Sequence, residues 1–516
     1  GLDRLFADFD DIERQWLAVG RLGLHGHARL GGGLGPGGGL GRGGAGVGRG
    51  RSGRRGDAAR AHAAAGASGG GAASALGLDT QLSQKLAASW QWLQAVGKRP
   101  PAPPPGKKRV LILMSDTGGG HRASAQALRD TFERLYGAEF EVVILDLWTD
   151  SSPWPINQMP KGYSFMVRYP FLWRLNFRGF WPSWVHGPTL FMTHKFAGRA
   201  YAKVFHELQP DLVVSVHPLM QHVPLKTLRN MHRRGQIHRV PFATVVTDFT
   251  TCHSTWFHRK VDQCYVATPE ARDLALSRGL QPSQLVMHGL PIRPVFEELS
   301  RRRPAKASLR ARLGMDRARP AVLVVGGGEG MGPVEATCQA IASTLGDRVQ
   351  VVVICGRNKA LVKKLEGQAW PMPLTVNGFV SNMHEWMAAC NCIVTKAGPG
   401  TIAEALVCGL PLLLNGFVPC QEEGNIPFVI SNQVGAFTRD PLEVARILKG
   451  WLRDRGEFDA MAQRARSLGK PEATFEIVKD LAILARAHGR VPPGKKKWWG
   501  ATKEPEPEPE PAAPAA

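Results

Sequence analysis

The sequence predicts an α/β protein built from two doubly wound parallel-sheet domains, and three observations carry that prediction. Continuous apolar runs of four or five residues recur along the chain with helix-forming segments between them, the pattern of strands buried on both faces and covered by helices. Two of these runs, Val110–Met114 and Val322–Val325, lead into glycine loops, Gly118–Gly120 and Gly326–Gly332. A helical segment follows each loop. Each half of the chain therefore opens on a strand, a tight turn and a helix, a unit whose free N–H groups suit an anion in the crevice beyond the strand ends.

Taken in order, Leu82–Val96 reads as a short helix with Thr80 as its cap, broken by Pro101–Gly106. After Val110–Met114, Ala125, Leu128, Phe132 and Leu135 repeat at helical spacing, and Glu141–Leu145 is a second strand. Thr149–Phe196 is crowded with Trp154, Tyr163, Phe165, Phe171, Trp173, Phe177, Phe180, Trp181 and Trp184 among prolines and basic residues, with poor periodicity. It suits either an irregular core-facing insertion or a surface that meets a lipid interface. Strand runs then recur at Leu212–Val216, Phe242–Val246, Gln263–Ala267 and Leu285–His288, and charged Arg301–Leu313 bridges to the second half. There the strands are Val322–Val325, Val351–Cys355, Thr375–Phe379, Cys392–Thr395 and Pro411–Leu414, with helices at Pro441–Leu448 and Ala460–Leu468. The expected domains are 107–300 and 317–483, joined by 301–316 and flanked by disordered segments 1–106 and 484–516.

The net charge of +22 is unevenly placed. Arg21 to Gly77 is rich in Arg and Gly with one acid, Asp57, and few bulky apolar side chains. Such a segment buries too little surface to fold, and its composition fits an organelle transit peptide, although acidic Asp3, Asp8, Asp10, Asp11 and Glu13 argue against that. With much of the excess charge there and no recognisable nucleic-acid module, a nucleic-acid binder is disfavoured. Lys495–Trp499 and the Glu/Pro run after it form an extended tail. The eight cysteines show no disulfide or metal spacing. No run is long enough to span a bilayer, so membrane attachment is expected to be peripheral.

Neither glycine loop is a Walker loop, and neither fits the dinucleotide fingerprint. A nicotinamide-dependent oxidoreductase would also need an acid ending the second strand, a demand that Asp146 partly meets. The loop positions Gly118, Gly119, Gly120, Gly327, Gly328, Gly398, Pro399, Gly400 and Thr401 either cradle the diphosphate of a nucleotide sugar or only permit close packing. His121 is the candidate base for an acceptor hydroxyl, with Asp116 to orient it. His217 and His222 are core or cleft residues, without a third ligand at metal spacing. Asp248, ahead of Thr251–Trp256, shapes an acceptor pocket or caps a buried helix. Glu404 is placed to accept from a ribose diol, and Gln421, Glu422, Glu423 and Asn425 form a polar cluster that either hydrogen-bonds sugar hydroxyls or is ordinary polar surface. Arg122, Arg293 and Arg357 are candidates to carry leaving-group charge.

Five motifs together resemble one family. They are Met114–Ala125, Ser215–Pro224, Thr251–His258, Gly326–Pro333 and Thr395–Ala405. From about Lys108 to about Ile483 the chain is similar to the monogalactosyldiacylglycerol synthases of plant and algal plastids. The resemblance implies a GT-B glycosyltransferase, with two Rossmann-like doubly wound domains facing across a cleft. It implies inverting transfer of galactose from UDP-galactose, bound mainly by the C-terminal domain, to 1,2-diacylglycerol. By it, no cofactor or metal is required, anionic lipid is the activator, and the enzyme sits peripherally on the chloroplast envelope. The partners are UDP-galactose, 1,2-diacylglycerol and anionic membrane lipids, with room for a homo-oligomer and none for nucleic acid. His121 matches the general base and Glu404 the ribose-binding glutamate. Phe379 lies where a loop covers uracil, and Gln421 and Glu422 match galactose-holding residues. Pro155, Pro160 and Trp256 match regions tied to the lipid acceptor and its activation. Pro419 and Cys420 depart from the small residues usual before the glutamine.

Overall fold

A computed structural model of the chain describes residues 106–115, 119–154, 156–328, 330 and 332–488. The expectations for 1–105 and 489–516, including the Leu82–Val96 helix, lie outside the described residues, as do those for Asp116, Gly118 and Pro155.

The apolar runs form two six-stranded, wholly parallel sheets. The first comprises β1 (Lys108–Met114), β2 (Phe140–Asp146), β3 (Leu212–Ser215), β4 (Phe242–Val245), β5 (Gln263–Tyr265) and β6 (Leu285–Val286), in the order β2-β1-β3-β4-β5-β6. The second comprises β7 (Ala321–Val325), β8 (Gln350–Ile354), β9 (Leu374–Asn377), β10 (Cys392–Lys396), β11 (Leu412–Gly416) and β12 (Gly435–Phe437), in the order β12-β11-β10-β7-β8-β9. Val110 to Met114 are buried because helices cover both faces of β1, with Leu111 lying between Val143 and Val213 in register. The chain reverses its winding between β1 and β3 in one sheet and between β7 and β10 in the other. Such switch points open a crevice beyond the strand ends, and Gly327, Gly328 and the Gly398 turn follow the strands that border the second of them.

Three features differ from the sequence reading. Thr149–Phe196 is mostly regular: it forms helices at Leu147–Ser151, Met159–Arg168, Pro170–Gly179 and Ser183–Leu208, with Pro188 inside the last. Its periodicity is obscured because apolar residues occur on both the packed and the exposed sides. The bridge after β6 is two helices, Val295–Arg302 and Lys306–Arg312, whose Phe296 and Leu309 pack into the second sheet's core beside Leu290 and Ile292. The helix Ala473–Ala487, grouped by sequence with the second domain, returns to the first sheet. Its Ile477, Leu481 and Ala485 pack with Val110, Ile112, Leu128 and Phe132. The Thr474 hydroxyl fastens this return by donating to the Ile292 carbonyl at 2.6 Å and accepting from the Ile292 N–H at 2.9 Å. An amphipathic pattern reveals an apolar face but not the surface that face covers.

Candidate active site

His121 lies in the first turn of the helix Gly119–Tyr136, the element that follows β1 in the chain. It is 7% exposed. Its Nδ1 is 3.0 Å from the Val216 carbonyl oxygen and 2.8 Å from Thr247 Oγ1. A carbonyl only accepts, so Nδ1 carries the proton and the lone pair is left on Nε2. The tautomer assigned by this network is the one a base requires. Burial pulls the imidazole pKa down to about 4, so the ring is neutral at physiological pH. His217, with its ring centroid 4.6 Å away, packs edge-on against His121 and also contacts Trp148, while its Nδ1 accepts from the Leu219 N–H. It shapes the wall beside the base.

Asp248, just beyond β4, is buried, and its carboxyl is pushed up to about 7 by that burial. Trp256 Nε1–H donates to its Oδ2 at 2.6 Å, and Gln421 Nε2–H reaches Oδ1 at 3.5 Å. Trp256 was expected at the lipid acceptor. It is fully buried, with its ring centroid 6.1 Å from that of His121, and its indole N–H serves Asp248. His222 groups with His186 and His258, at ring separations of 5.9 and 4.8 Å, and so belongs to a partly buried imidazole cluster of the first half. Asp146, the acid an oxidoreductase would use on a ribose, caps the helix Leu147–Ser151 by accepting from the Trp148 and Thr149 N–H groups. Among the described residues, no group of three His, Cys, Asp or Glu side chains is arranged to hold a metal ion.

The buried imidazoles set a pH dependence of stability. His121, His253 and His258 are lowered to about 4, His222 to about 3, and His217 well below its ordinary value, all chiefly by burial. Unfolding restores the usual pKa near 6.5, so the unfolded chain binds more protons between pH 6.5 and 4, and stability falls as pH falls through that window. Each imidazole steepens the loss by up to about 1.4 kcal/mol per pH unit. Asp248 opposes this as a single raised carboxyl, gaining stability as pH falls from 7. Urea unfolding at pH 7.5 and 5.0 is expected to give a clearly lower midpoint at pH 5.0; equal midpoints would contradict the burial of these rings.

On the opposite side, Gly398 precedes the helix Pro399–Cys408, placing Gly400 and Thr401 in its first turn, where N–H groups lack partners within the helix. Gly327, at φ +70°, and Gly328 leave β7, and Gly328 accepts from the Arg357 N–H at 2.9 Å. Close packing also governs this loop: a Cβ at Gly330 would stand 2.3 Å from the Cys355 carbonyl oxygen. Glu404 takes a two-point ion pair from Arg293, with Nε and Nη2 each at 2.8 Å. Arg293, read as a leaving-group cation, therefore holds this carboxylate, whose remaining lone pairs can still accept from hydroxyls. Phe379, just past β9, is 72% exposed.

Lys396 ends β10 and was missed by the sequence reading. Its Nζ pairs with Glu422 Oε1, and the Val418 N–H donates to Glu422 Oε2 at 2.8 Å. The only sequence signal was a cation ending a buried run ahead of a glycine turn. Asn425, expected to bind sugar, is 0% exposed: its Oδ1 accepts from the Thr250 N–H and hydroxyl, and its Nδ2–H donates to the Ala397 carbonyl. It joins the two halves of the molecule instead. Beside it the Gly424 N–H donates to Thr251 Oγ1 at 3.1 Å, and a Cβ at 424 would stand 2.0 Å from that oxygen and 2.8 Å from Thr250 Oγ1. Gly424→Ala is expected to cost about 1–3 kcal/mol through overpacking. It should lower turnover severalfold by displacing the second half from the first, and a wild-type melting temperature with wild-type turnover would contradict this.

Beyond the site, the helices of 159–208 carry an exposed apolar surface that includes Phe165, Phe171 at 75% exposure, Leu175, Trp184 at 69% and Phe196. Such a patch marks an interaction surface, and Lys161, Arg174, Lys195 and Arg199 accompany it along the same helices. Among the described residues, no helix is long and apolar enough to cross a membrane.

Comparison with known proteins places this geometry. A family model described as monogalactosyldiacylglycerol (MGDG) synthase matches residues 121–292, and one described as glycosyltransferase family 28 C-terminal domain matches residues 321–425. Monogalactosyldiacylglycerol synthase 1, chloroplastic, of Arabidopsis thaliana is 48% identical over 388 residues, covering 74% of this chain and 72% of that protein. Monogalactosyldiacylglycerol synthase, chloroplastic, of Spinacia oleracea is 47% identical over 382 residues, covering 73% and 72%. Among solved structures, MurG of Acinetobacter baumannii aligns with 73% of this chain and 99% of its own, at 16% identity and a TM-score of 0.48. On its identity to these synthases, and on the length over which that identity runs, the chain belongs to the monogalactosyldiacylglycerol synthase family.

Proposed function

We propose that this chain transfers galactose from UDP-galactose to the free hydroxyl of 1,2-diacylglycerol, with inversion, giving monogalactosyldiacylglycerol and UDP. The observation that carries the reading is the buried, neutral His121, with Nδ1 engaged by Val216 and Nε2 left basic at the switch point of the first sheet. The diacylglycerol hydroxyl gives its proton to Nε2 while its oxygen attacks the anomeric carbon, and the anomeric C–O bond to UDP breaks on the far side. One displacement inverts the centre. Loop N–H groups at Gly327, Gly328, Gly400 and Thr401 take the diphosphate charge. Glu404 accepts from the ribose, Phe379 covers the base, and Gln421 and Glu422 hold the galactose, Glu422 pre-set by Lys396. No cofactor enters this scheme.

The neutral ring suits the task, because an imidazole already deprotonated is ready to accept. A pKa near 4 makes it a weak base in the unliganded state, and the developing imidazolium needs a partner charge. The departing diphosphate supplies one. The exposed aromatic surface lies on anionic lipid at a plastid membrane, as a peripheral attachment that brings the site to its acceptor. Pro160, in the first turn of the helix Met159–Arg168, belongs to that surface. The test is product formation from UDP-galactose, UDP-glucose and UDP-N-acetylglucosamine with diacylglycerol in anionic-lipid micelles. UDP-galactose is expected to be preferred at least tenfold, and equal or greater use of another sugar would overturn the donor assignment.

A further inference from the structure

The segment Met159–Gly179 folds as two helices that lie across both halves of the molecule. At its far end it is fixed to the first half: His253 Nε2–H donates to the Phe177 carbonyl at 3.2 Å, and Ser254 Oγ–H donates to the Trp181 carbonyl at 2.7 Å. Its inner side reaches the second half. Trp173 Nε1–H donates to the Pro419 carbonyl at 2.9 Å, and the Tyr163 hydroxyl donates to Gln421 Oε1 at 3.3 Å. Trp173 and Phe177 form a small apolar cluster with Val418 and Cys420, and Tyr163 packs edge-on to Trp173 at 5.0 Å. The outer side of the same two helices exposes Phe165, Tyr169, Phe171, Leu172 and Leu175.

The loop it grips is held in an uncommon shape. Cys420 has φ +64°, the left-handed region that side chains other than glycine rarely occupy. A residue stays there only where its surroundings over-determine it. Here the restraints are the Trp173 bond on one side, the Glu422 carboxylate accepting from the Val418 N–H, and Glu423 accepting from the Cys420 N–H at 3.2 Å. Gln421, next in the chain, has both ends of its amide placed, Oε1 by Tyr163 and Nε2 by Asp248. Two aromatic side chains from a surface-exposed hairpin thus help define the loop 418–422.

We propose that this hairpin is a strut between the lipid surface and the donor-sugar loop, and that Trp173 and Tyr163 are positioning residues for the galactose of UDP-galactose. The inference rests on the reading of Gln421 and Glu422 as galactose ligands. Neither aromatic residue touches the reacting atoms. Each acts by holding the backbone and amide of the 418–422 loop where the sugar hydroxyls meet them, so their loss is felt as weaker donor binding. Because the same helices present Phe171 and Leu175 outward, the element that meets lipid is also the one that sets the donor loop.

The test compares the full-length wild type with Trp173→Phe, Tyr163→Phe and the double variant, on vesicles of phosphatidylglycerol and phosphatidylcholine containing diacylglycerol. Tyr163→Phe keeps the ring and removes only the hydroxyl, Trp173→Phe removes the indole N–H together with part of a buried ring, and thermal unfolding checks the fold. Each single variant is expected to raise the KM for UDP-galactose about fivefold, the worth of one neutral hydrogen bond. The kcat at saturating donor, the KM for diacylglycerol and co-sedimentation with vesicles are expected to change less than twofold. An unchanged donor KM in the double variant overturns the strut, and so does a loss that follows weaker vesicle binding. A wild type that transfers no galactose overturns the functional reading, and the strut with it. An active wild type with indifferent variants overturns the strut alone.

Discussion

Replacing His121 with Ala is expected to lower galactose transfer by roughly 10²–10⁴-fold, the range a positioned general base contributes. UDP binding, measured by calorimetry, should stay near wild type, because the proposed base stands on the first half and the proposed donor contacts on the second. Two details sharpen the expectation. The Nδ1 proton is committed to Val216, so turning the ring to present its other nitrogen gives up that bond. Thr247 at 2.8 Å adds a second restraint on the same atom. Thr247→Val should therefore reduce kcat more modestly, about tenfold or less, since it loosens the ring but leaves the base in place. Turnover of His121→Ala near the wild-type rate would show that the acceptor proton goes elsewhere. Asp248, pushed up to about 7 and linked to His121 through the Trp256 ring, would then be the nearest alternative acceptor of that proton.

The second large effect is expected at Lys396. Lys396→Ala strands Glu422, whose side chain is buried and keeps only the Val418 N–H as a partner. Removing one member of a buried ion pair costs roughly 3–5 kcal/mol. Lys396 is itself partly exposed, so the lower end applies. Donor affinity should fall with it, because the carboxylate proposed to meet the galactose is no longer aimed. A control separates the two consequences. The double variant Lys396→Met/Glu422→Gln removes both charges at similar volume and should recover most of the stability while transfer stays low. If the double variant restored transfer as well, Glu422 would not be a donor ligand. If Lys396→Ala were as stable as wild type, the pair would be a surface contact without consequence.

Sequence and structure agree where local physics decides the outcome. The run Val110–Met114 reads as a buried strand because nothing else accommodates five consecutive apolar residues ahead of a glycine turn, and the same holds at Val322 and Cys392. The edge strand Gly435–Phe437 was missed: three half-buried residues carry no period to recognise. The helices within Thr149–Phe196 were missed for a different reason. Pro160 and Pro170, each in the first turn of a helix, did mark their starts, but aromatic residues on both sides blurred the apolar stripe.

Site residues were legible in proportion to how local their roles are. His121 follows from a strand, a turn and a helix, all within one short stretch. Asn425 and Lys396 do not, because their partners, Thr250 in one case and Glu422 in the other, are distant in sequence and nothing in composition links them. Trp256 is tied to the lipid acceptor by the family resemblance alone, and its indole N–H serves a buried carboxyl that the sequence does not link to it. The bidentate grip of Arg293 on Glu404 likewise joins residues far apart in sequence, one of them outside every motif named above.

The account turns on one displacement at the anomeric carbon, driven by a hydroxyl that His121 deprotonates. Proton NMR of the galactolipid made from UDP-galactose and diacylglycerol tests this most directly, since the coupling of the anomeric proton reports the configuration of the new bond. The β-anomer alone is predicted, because UDP-galactose carries an α-linkage and a single attack from the opposite face reverses it. An α-linked product would require retention, and a mechanism in which His121 does not act as proposed.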